Sequence, residues 1–302
     1  MPTRAYWSTG TSTATTPRRT GVGGAGGGVD GGADGRPGGL VMDVAGAYLR
    51  PLGGWMPVAA TVSLMGELRV DEQAVRSAVH RLAKRGLLVA EQRDTVRGYR
   101  LTDAAEPLLD EADRRIFSTA ARARTDDGWV LVSFSVPEHE RDRRHLLRSR
   151  LSWLGFGKLS SGLWIAPARV ADELAESVRR LGFEKYVTVF VGTHLGYEPT
   201  GELVQRCWDL DGLREMYTGF LQHWEPVHER WAGERRVDAR GAFVDYTLLL
   251  NQWRKFPYLD PGLPLALLPP DWEGQRGAEL FFALRAKLEA PAVRYARETV
   301  AR

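Results

Sequence analysis

The clearest hydrophobic pattern of the chain lies between Asp71 and Gly86, where apolar residues recur at helical spacing. The apolar stripe consists of Ala74, Val75, Ala78, Val79 and Leu82. Asp71 is placed to cap the first turn, because its carboxylate can accept the amide hydrogens that have no partner there. Gly86 is placed to end the helix. The pattern therefore predicts one amphipathic helix between these two residues.

The face opposite this stripe is polar and basic. It carries Gln73, Arg76, Ser77, His80 and Lys84, with Arg81 close to them. Arginine can donate two parallel hydrogen bonds to guanine, glutamine suits adenine, and serine or histidine can meet either donors or acceptors. The face is therefore predicted to contact bases in the major groove of DNA, with Arg81 and Lys84 near the phosphate backbone.

The pattern changes from helical to alternating after Gly86. Residues 87–92 and 99–102 predict two short strands around the turn 93–98. The arginines of this hairpin, which are predicted to contact phosphate or the minor groove, are Arg93, Arg97 and Arg100. A solvated amphipathic helix followed by an unrelated hairpin has the same pattern. The order of helix and basic wing favours a winged helix-turn-helix that binds DNA.

The segments before this helix predict its supports and an N-terminal tail. Residues 40–50 and 58–68 indicate two helices separated by a Pro-Leu-Gly-Gly turn. We therefore expect a DNA-binding domain over 40–116. Residues 1–39 are predicted to be a disordered tail, because 21–39 is mostly glycine and has little apolar content.

A second pattern begins beyond a predicted linking helix over 110–124 and a linker over 117–127. Strands are predicted over 129–136, 162–166 and 186–191, and helices over 137–154 and 172–181. This βαββαβ-like order is typical of a small ferredoxin-like α+β domain, expected over 128–199. Its first helix is rich in arginine, and either contacts phosphate or a second subunit or simply presents a solvated face.

The region 200–302 is predicted to be helical and is unusually aromatic. Most of its aromatic side chains are expected in the core. Aromatic faces mixed with arginine would also suit a pocket for a planar anion, because rings stack and guanidinium groups pair with carboxylate or phosphate. The candidate effector-binding residues are Trp208, Tyr217, Trp253 and Arg254. We expect this region to form an effector and dimer domain.

Composition narrows the class of protein. The chain has 302 residues, of which 43% are hydrophobic and 26% charged, as in globular proteins of two or three domains. No apolar run reaches the length of a membrane span or a secretion signal, so a cytoplasmic protein is expected. A single cysteine, Cys207, excludes an internal disulfide. The net charge of +3 permits nucleic-acid binding without requiring it.

No catalytic or metal-binding motif is visible in the sequence. The histidines lack the spacing of a zinc site, and no Gly-x-Ser-x-Gly sequence provides a nucleophile. We therefore expect no enzymatic activity, no cofactor and no metal. The alternative is a regulator-derived protein whose C-terminal pocket acts as an enzyme or as a ligand sensor without DNA.

Six motifs occur in order between Leu40 and Leu288. They are GAYLRPLGG, AVRSAVHRLAKRGLL, WVLVSFSVPE, RDRRHLLRSRLSWLGFGKLSSGLWIAP, CWDLDGL and WRKFPYLDPGLPLALLPPDWEG. Together they resemble the PaaX family of bacterial transcriptional repressors. The resemblance implies a winged-helix domain, a central domain similar to the small nuclease of CRISPR adaptation, a helical C-terminal domain and a dimer. It also implies release from the operator by phenylacetyl-coenzyme A or another aryl-coenzyme A thioester.

Two positions depart from the family pattern. Ala47 replaces the aspartate of a Gly-Asp-Tyr sequence, and Asn251 and Gln252 replace a His-Glu pair. Because asparagine and glutamine form only neutral hydrogen bonds, we expect no metal or catalytic role at that pair. A nuclease activity would also need an aspartate at the end of the first central strand, where 131–135 offers only serines.

The expected fold class is therefore α+β and multidomain, with a winged helix-turn-helix, a ferredoxin-like central domain and a helical C-terminal domain. The expected function is a homodimeric, ligand-responsive repressor. It would bind double-stranded operator DNA and release it on binding a small aromatic acid or acyl-coenzyme A effector.

Overall fold

The computed structural model describes residues 37–118 and 122–301. The predicted tail therefore lies outside the described residues, except for residues 37–39, which are helical. The N-terminal elements are α1 (Pro37–Val44), β1 (Trp55–Pro57), α2 (Val58–Glu67), α3 (Glu72–Lys84), β2 (Leu88–Arg93), β3 (Val96–Leu101) and α4 (Glu106–Ile116). A single π-helical segment, Ala45–Leu49, follows α1. The helix α1 thus begins before the predicted boundary at residue 40, with a proline at its start, where it suits a first helical turn.

The helix predicted after Asp71 is confirmed as α3. The Asp71 side chain accepts a hydrogen bond from the Ala74 backbone N–H at 2.9 Å, and Gly86 follows the helix with a φ of +74°. The buried residues of α3 are Val75, Ala78, Val79 and Leu82. Local spacing and capping therefore specify this element, because neither depends on distant parts of the chain.

The hairpin after α3 is longer and tighter than the predicted one. Arg93 pairs with Val96, so the turn contains only Asp94 and Thr95. Asp94 has a φ of +52°, a left-handed conformation that aspartate tolerates better than most residues. The predicted six-residue turn was wrong because both strands continue into it. The sequence analysis also missed β1, a three-residue strand that pairs with β3 and ends in Pro57.

The linking helix also differs from the prediction. It begins at Glu106 and ends at Ile116 instead of spanning 110–124. Pro107 favours the early start, because proline fits the first turn of a helix. Arg50 fixes α4 to the residues after α1, since its guanidinium lies 2.9 Å from Asp110 and 2.8 Å from Asp113.

The central part of the chain is a four-stranded antiparallel sheet with two helices. Its elements are β4 (Trp129–Phe134), α5 (Arg141–Trp153), β5 (Gly157–Ser160), β6 (Leu163–Pro167), α6 (Ala171–Leu181) and β7 (Val187–Gly192). The strand order is β5-β6-β4-β7, which leaves β7 at one edge. The sequence analysis missed β5, a strand too short to show a clear alternating pattern.

The C-terminal part is helical, as expected. Its helices are α7 (Thr200–Cys207), α8 (Leu210–Gly233), α9 (Ala239–Trp253), α10 (Phe256–Leu259) and α11 (Gly274–Val300). Asp209 and Asp238 cap α8 and α9, each by accepting a backbone N–H of the first turn. None of the described helices is long and apolar enough to cross a membrane.

Two hydrophobic cores hold the described residues together. One lies between the central sheet and its helices α5 and α6. The other runs without interruption from α1 through α3 to α9 and α11. Residues from the two ends of the chain therefore share one core, and α1 packs against both α3 and α9. The helix α1 thus connects the candidate DNA-binding helix α3 to the C-terminal helix α9.

Candidate DNA-binding surface and central cavity

Six polar or basic side chains of α3 are exposed to solvent. They are Gln73, Arg76, Ser77, His80, Arg81 and Lys84. The apolar residues of α3 are buried on the other side, so the helix presents one face to the core and one to solvent. All six residues predicted for DNA contact on this helix are thus accessible together.

Arg76 has a partner on its own helix. Its guanidinium lies 2.6 Å from the Glu72 carboxylate, in an ion pair between side chains four residues apart. Both side chains are exposed, and pairs of this kind contribute about 0.3–0.5 kcal/mol. Arg76 can therefore exchange Glu72 for a base edge at small cost in free energy.

The three arginines predicted on the wing differ in what they contact. Arg100 is half-buried and pairs with Glu91 at 3.0 Å. Arg93 pairs with the same carboxylate group at 2.7 Å, and its guanidinium lies 4.8 Å from the centre of the Trp55 ring. The hydrogen bond from Arg93 also lowers the pKa of Glu91. Arg97 is exposed and forms no ion pair with any described residue, so it is the wing arginine best placed for phosphate.

A buried polar cluster joins α1 to α9. The Asp43 carboxylate lies 3.0 Å from Arg254 Nε and accepts a hydrogen bond from the Asn251 amide. All three side chains are buried. Burial raises the pKa of Asp43, whereas Arg254 and Asn251 favour its charged form. Because a buried charge without its partner is costly, this cluster fixes α1 against α9.

Close packing around the cluster is visible at Gly39. A Cβ atom there would lie 2.8 Å from Arg254 Nη2, so a larger residue would displace the guanidinium. Nearby, the hydroxyl groups of Tyr48 and Thr247 lie 2.8 Å apart in a second buried link between the same parts of the chain. Burial raises the pKa of Tyr48. The tyrosine therefore stays neutral and bonds to the threonine.

The pair that replaces the family's His-Glu forms neutral hydrogen bonds. Asn251 donates to Asp43, and Gln252 accepts the indole N–H of Trp224 at 2.9 Å. Among the described residues, no group of three or more His, Cys, Asp or Glu side chains could hold a metal ion. Both amides therefore contribute to packing between helices.

A cavity of about 830 Å³ opens where α4, α5, α6, α8 and α11 meet. Six arginines are among its described lining residues: Arg114, Arg115, Arg122, Arg150, Arg169 and Arg180. Five carboxylates also line it: Glu111, Glu173, Glu176, Asp260 and Glu279. Because these residues come from separate parts of the chain, only the tertiary structure assembles the site.

Ion pairs occupy several of these arginines. Arg150 and Arg180 lie 2.7 Å and 3.3 Å from the same Glu111 oxygen, and Arg122 lies 2.9 Å from Asp260. Burial lowers the pKa of Arg150, but a guanidinium stays charged in proteins. The two pairs of Glu111 join α4 to α5 and α6, and the Arg122–Asp260 pair joins the segment before β4 to the residue after α10.

Four arginines of the cavity donate hydrogen bonds to backbone carbonyls: Arg115 and Arg122, which also form ion pairs, and Arg114 and Arg169. Arg114 Nε donates to the Asp110 carbonyl and Arg169 Nη2 to the Pro261 carbonyl, each at 3.3 Å. Neither forms an ion pair with a described residue. Arg114 and Arg169 are therefore the cavity's most available groups for an anionic ligand.

The cavity also has an aromatic wall, to which Tyr217 and Trp253 contribute. The Tyr217 ring stacks on Phe256 with centroids 4.2 Å apart, and its hydroxyl donates to Asp260 at 3.0 Å. Trp253 stacks on Phe281 at 4.7 Å. Both rings are held in place before any ligand binds.

The structure separates the four residues predicted to bind an effector. Tyr217 and Trp253 line the cavity, whereas Trp208 and Arg254 lie elsewhere. Trp208 packs against the central sheet and donates its indole N–H to the Gly155 carbonyl at 3.0 Å. Arg254 belongs to the cluster with Asp43. Consecutive residues at a helix end point in different directions, so Trp253 and Arg254 do not share a site.

The cavity arginines were missed in the sequence analysis. Arg114 and Arg115 lie on the linking helix, and Arg150 lies on the arginine-rich helix, for which a solvated face was an open alternative. The only sequence signal was the density of arginine there, which fits a surface helix equally well. The ion pair between Arg150 and Glu111 shows that Arg150 is a residue of the arginine-rich helix that faces α4.

Most of this chain matches known protein families. The matching descriptions are PaaX-like protein over residues 36–105, PaaX protein central Cas2-like domain over 122–204, and PaaX-like protein C-terminal domain over 208–298. The chain belongs to the PaaX family. The resemblance expected from the six motifs is thereby confirmed, and the central sheet with its two helices is the Cas2-like part of the family.

Two relatives illustrate how far the similarity extends. The transcriptional repressor PaaX of Escherichia coli K12 is 26% identical over 266 residues, which cover 86% of this chain and 82% of the repressor. A solved structure of an uncharacterized Mycobacterium tuberculosis protein superposes with a TM-score of 0.55 at 22% identity. It covers 87% of this chain and 97% of its own. That second likeness shows a shared fold.

Proposed function

We propose that this PaaX-family chain is a ligand-responsive transcriptional repressor that binds operator DNA as a homodimer. The observation that carries the proposal is the exposed face of α3, on which six polar or basic side chains stand beside a basic hairpin. Such a face matches the donors and acceptors of the major groove. The E. coli relative is a transcriptional repressor, which supports the same role here.

In this proposal α2, α3 and the β2–β3 hairpin form a winged helix-turn-helix, with α3 as the recognition helix. Residues 68–71 form the turn, and β1 and the hairpin form one antiparallel sheet beside the helices. Recognition helices of this class insert their N-terminal half into the major groove. Gln73, Arg76 and Ser77 would then reach bases, and Arg97 would contact phosphate.

The proposed dimer forms through β7. This edge strand has no strand partner on its outer side among the described residues, and Phe190 and Val191 are 61% and 64% exposed. Leu195 and Tyr197 are exposed just beyond it. An unpaired apolar edge attracts another strand, and the uncharged sequence of β7 does not repel its own copy. A second copy would pair antiparallel about a two-fold axis, as an inverted-repeat operator requires.

Sedimentation of Phe190→Glu tests the dimer. We expect the wild-type chain to sediment as a dimer and the variant as a monomer, because the substitution brings a new charge to each of the two paired edges. Met216→Glu is the matched control, since Met216 is also an exposed apolar residue but lies on α8. A dimeric Phe190→Glu variant with a wild-type melting curve would place the interface elsewhere.

The proposed effector site is the central cavity. Arg114 and Arg169 offer guanidinium groups to a carboxylate or phosphate. The aromatic wall offers ring surface to an aromatic group mainly at the half-buried Phe282, because Tyr217 and Trp253 are 3% and 4% exposed. An aromatic acid or its acyl-coenzyme A thioester has both features. Arg114 and Arg169 thus replace Arg254 as the residues proposed to bind the anionic group of the effector.

The helix α4 links this cavity to the proposed DNA-binding elements. Arg114 and Glu111 of α4 line the cavity, and Arg50 binds α4 from the other side. A ligand can release DNA only if it binds the DNA-free arrangement more tightly. We propose that the ligand favours a position of α4 that is incompatible with α3 lying in the major groove of the operator.

Mobility-shift titration and footprinting on DNA upstream of the chain's own gene test the function. We expect specific, salt-sensitive binding that phenylacetyl-coenzyme A or another aryl-coenzyme A thioester relieves. Random DNA of equal length is the control. Absence of specific binding at every candidate promoter would favour the alternative, a ligand sensor or enzyme that does not bind DNA.

A further inference from the structure

A second group of arginines lies beside the helix-turn-helix and comes from the C-terminal part of the chain. Arg235 and Arg236 are exposed in the segment between α8 and α9. Arg240 follows in the first turn of α9, and its Nε lies 2.7 Å from the carboxylate of Glu67, the last residue of α2. This ion pair holds the segment 235–240 next to the turn between α2 and α3.

The position of this segment is fixed from two sides. The Tyr295 hydroxyl of α11 donates to the other Glu67 oxygen at 2.8 Å, and α11 packs against α2. In the same turn Arg69 is exposed and has a φ of +59°, so the chain reverses sharply there. Residues from α2, α9 and α11 thus meet at one place next to the start of α3.

Two of the carboxylates close to these arginines already have partners. Glu67 binds Arg240 and Tyr295, and Asp238 caps the first turn of α9. Glu234 is half-buried at the end of α8. In the described part of the chain, Arg69, Arg235 and Arg236 form no ion pair. These three residues, which we call the flanking arginines, therefore present positive charge to solvent.

We propose that the flanking arginines contact operator phosphates beside the bases read by α3. In a docked helix-turn-helix the first of the two helices crosses the phosphate backbone. Here that helix is α2. Arg69 follows its C-terminal end, and Arg235 and Arg236 come shortly before Arg240, which binds Glu67 at that end. A guanidinium forms paired hydrogen bonds with phosphate. The inference rests on the proposed function, because it requires α3 to occupy the groove.

One consequence is that the C-terminal part of the chain would contact operator DNA directly. Arg235 and Arg236 follow α8, whose residue Tyr217 lines the central cavity. Movement of α8 on ligand binding would then change phosphate contacts as well as the position of α3.

The test is the salt dependence of operator binding by Arg235→Ala/Arg236→Ala. Loss of two phosphate contacts in each subunit should reduce the slope of log affinity against log salt concentration by about four for the dimer. The reduction should be equal on operator and random DNA, because phosphate contacts carry no sequence information. Hydroxyl-radical footprinting should also lose protection at the edge of each half-site.

The matched control is Arg148→Ala/Arg179→Ala. Both of these arginines are exposed on the central helices, so the variant loses the same charge far from α2. We expect its slope to match the wild type, and melting curves of both variants should overlay. Specific wild-type binding with an unchanged slope in Arg235→Ala/Arg236→Ala would overturn this inference alone. Failure of the wild type to bind any operator would overturn the proposed function and this inference together.

Discussion

The arginines of α3 and the wing differ in environment from the buried or partly buried arginines around α9 and the cavity. Arg76 and Arg97 are exposed to solvent. Arg254 is buried against Asp43, and Arg115 lies near the rings of Trp153 and Tyr258 at 4.7 Å and 5.1 Å. An exposed arginine can change partners at little cost, whereas a buried one is committed to the fold. Burial, more than residue type, therefore separates residues for binding from residues for stability.

The largest effect is expected from a substitution that breaks the buried Asp43–Arg254 pair. Asp43→Ala should lower the free energy of unfolding by about 3–5 kcal/mol, because it removes the Asp43 carboxylate from the buried Arg254 charge. Urea denaturation measures the change. Arg76→Ala is the control from the exposed group, and its effect should stay within about 0.5 kcal/mol. Equal effects of the two substitutions would contradict the comparison.

A smaller effect is expected in the cavity. Arg169→Ala should weaken the binding of an aryl-coenzyme A thioester by about 1.5–3 kcal/mol, the range for a hydrogen bond to a charged group. Operator affinity without ligand should stay at the wild-type value. Calorimetry measures ligand binding, with the exposed Arg179→Ala as control. Unchanged ligand affinity in Arg169→Ala would move the effector site out of the cavity.

Substitution of an exposed arginine of α3 should change the affinity for DNA. Arg76→Ala should cost about 1–3 kcal/mol at the cognate operator if the guanidinium forms a bidentate base contact, and little on random DNA. Titration by fluorescence anisotropy on both DNAs measures this difference. A loss of equal size on both DNAs would assign Arg76 to phosphate instead of a base.

The smallest effect distinguishes two arginines of the wing. Arg97→Ala should reduce the slope of log affinity against log salt concentration by about one for each subunit of the bound dimer, on any DNA sequence. Arg100→Ala should change it less, because Arg100 already pairs with Glu91. The two salt titrations are run under identical conditions. A larger change for Arg100→Ala would show that DNA displaces Glu91 from Arg100.

The sequence by itself determined the local elements and the family. The α3 helix, its Asp71 cap and its exposed face follow from residues within one or two turns of each other, and local rules of spacing and capping govern them. Six ordered motifs were enough to identify the PaaX family. The short strands β1 and β5 were missed, because three or four residues carry no readable period.

Only the tertiary structure decided which polar residues are buried together. Asn251 meets Asp43 across 208 positions of the chain, and Arg254 beside it turns away from the cavity that Trp253 lines. Arg150 looks like its exposed neighbours in the sequence, but it lies against Glu111 of α4. The position of such residues depends on which distant helix packs over them, and the spacing of neighbours along the chain contains no record of that.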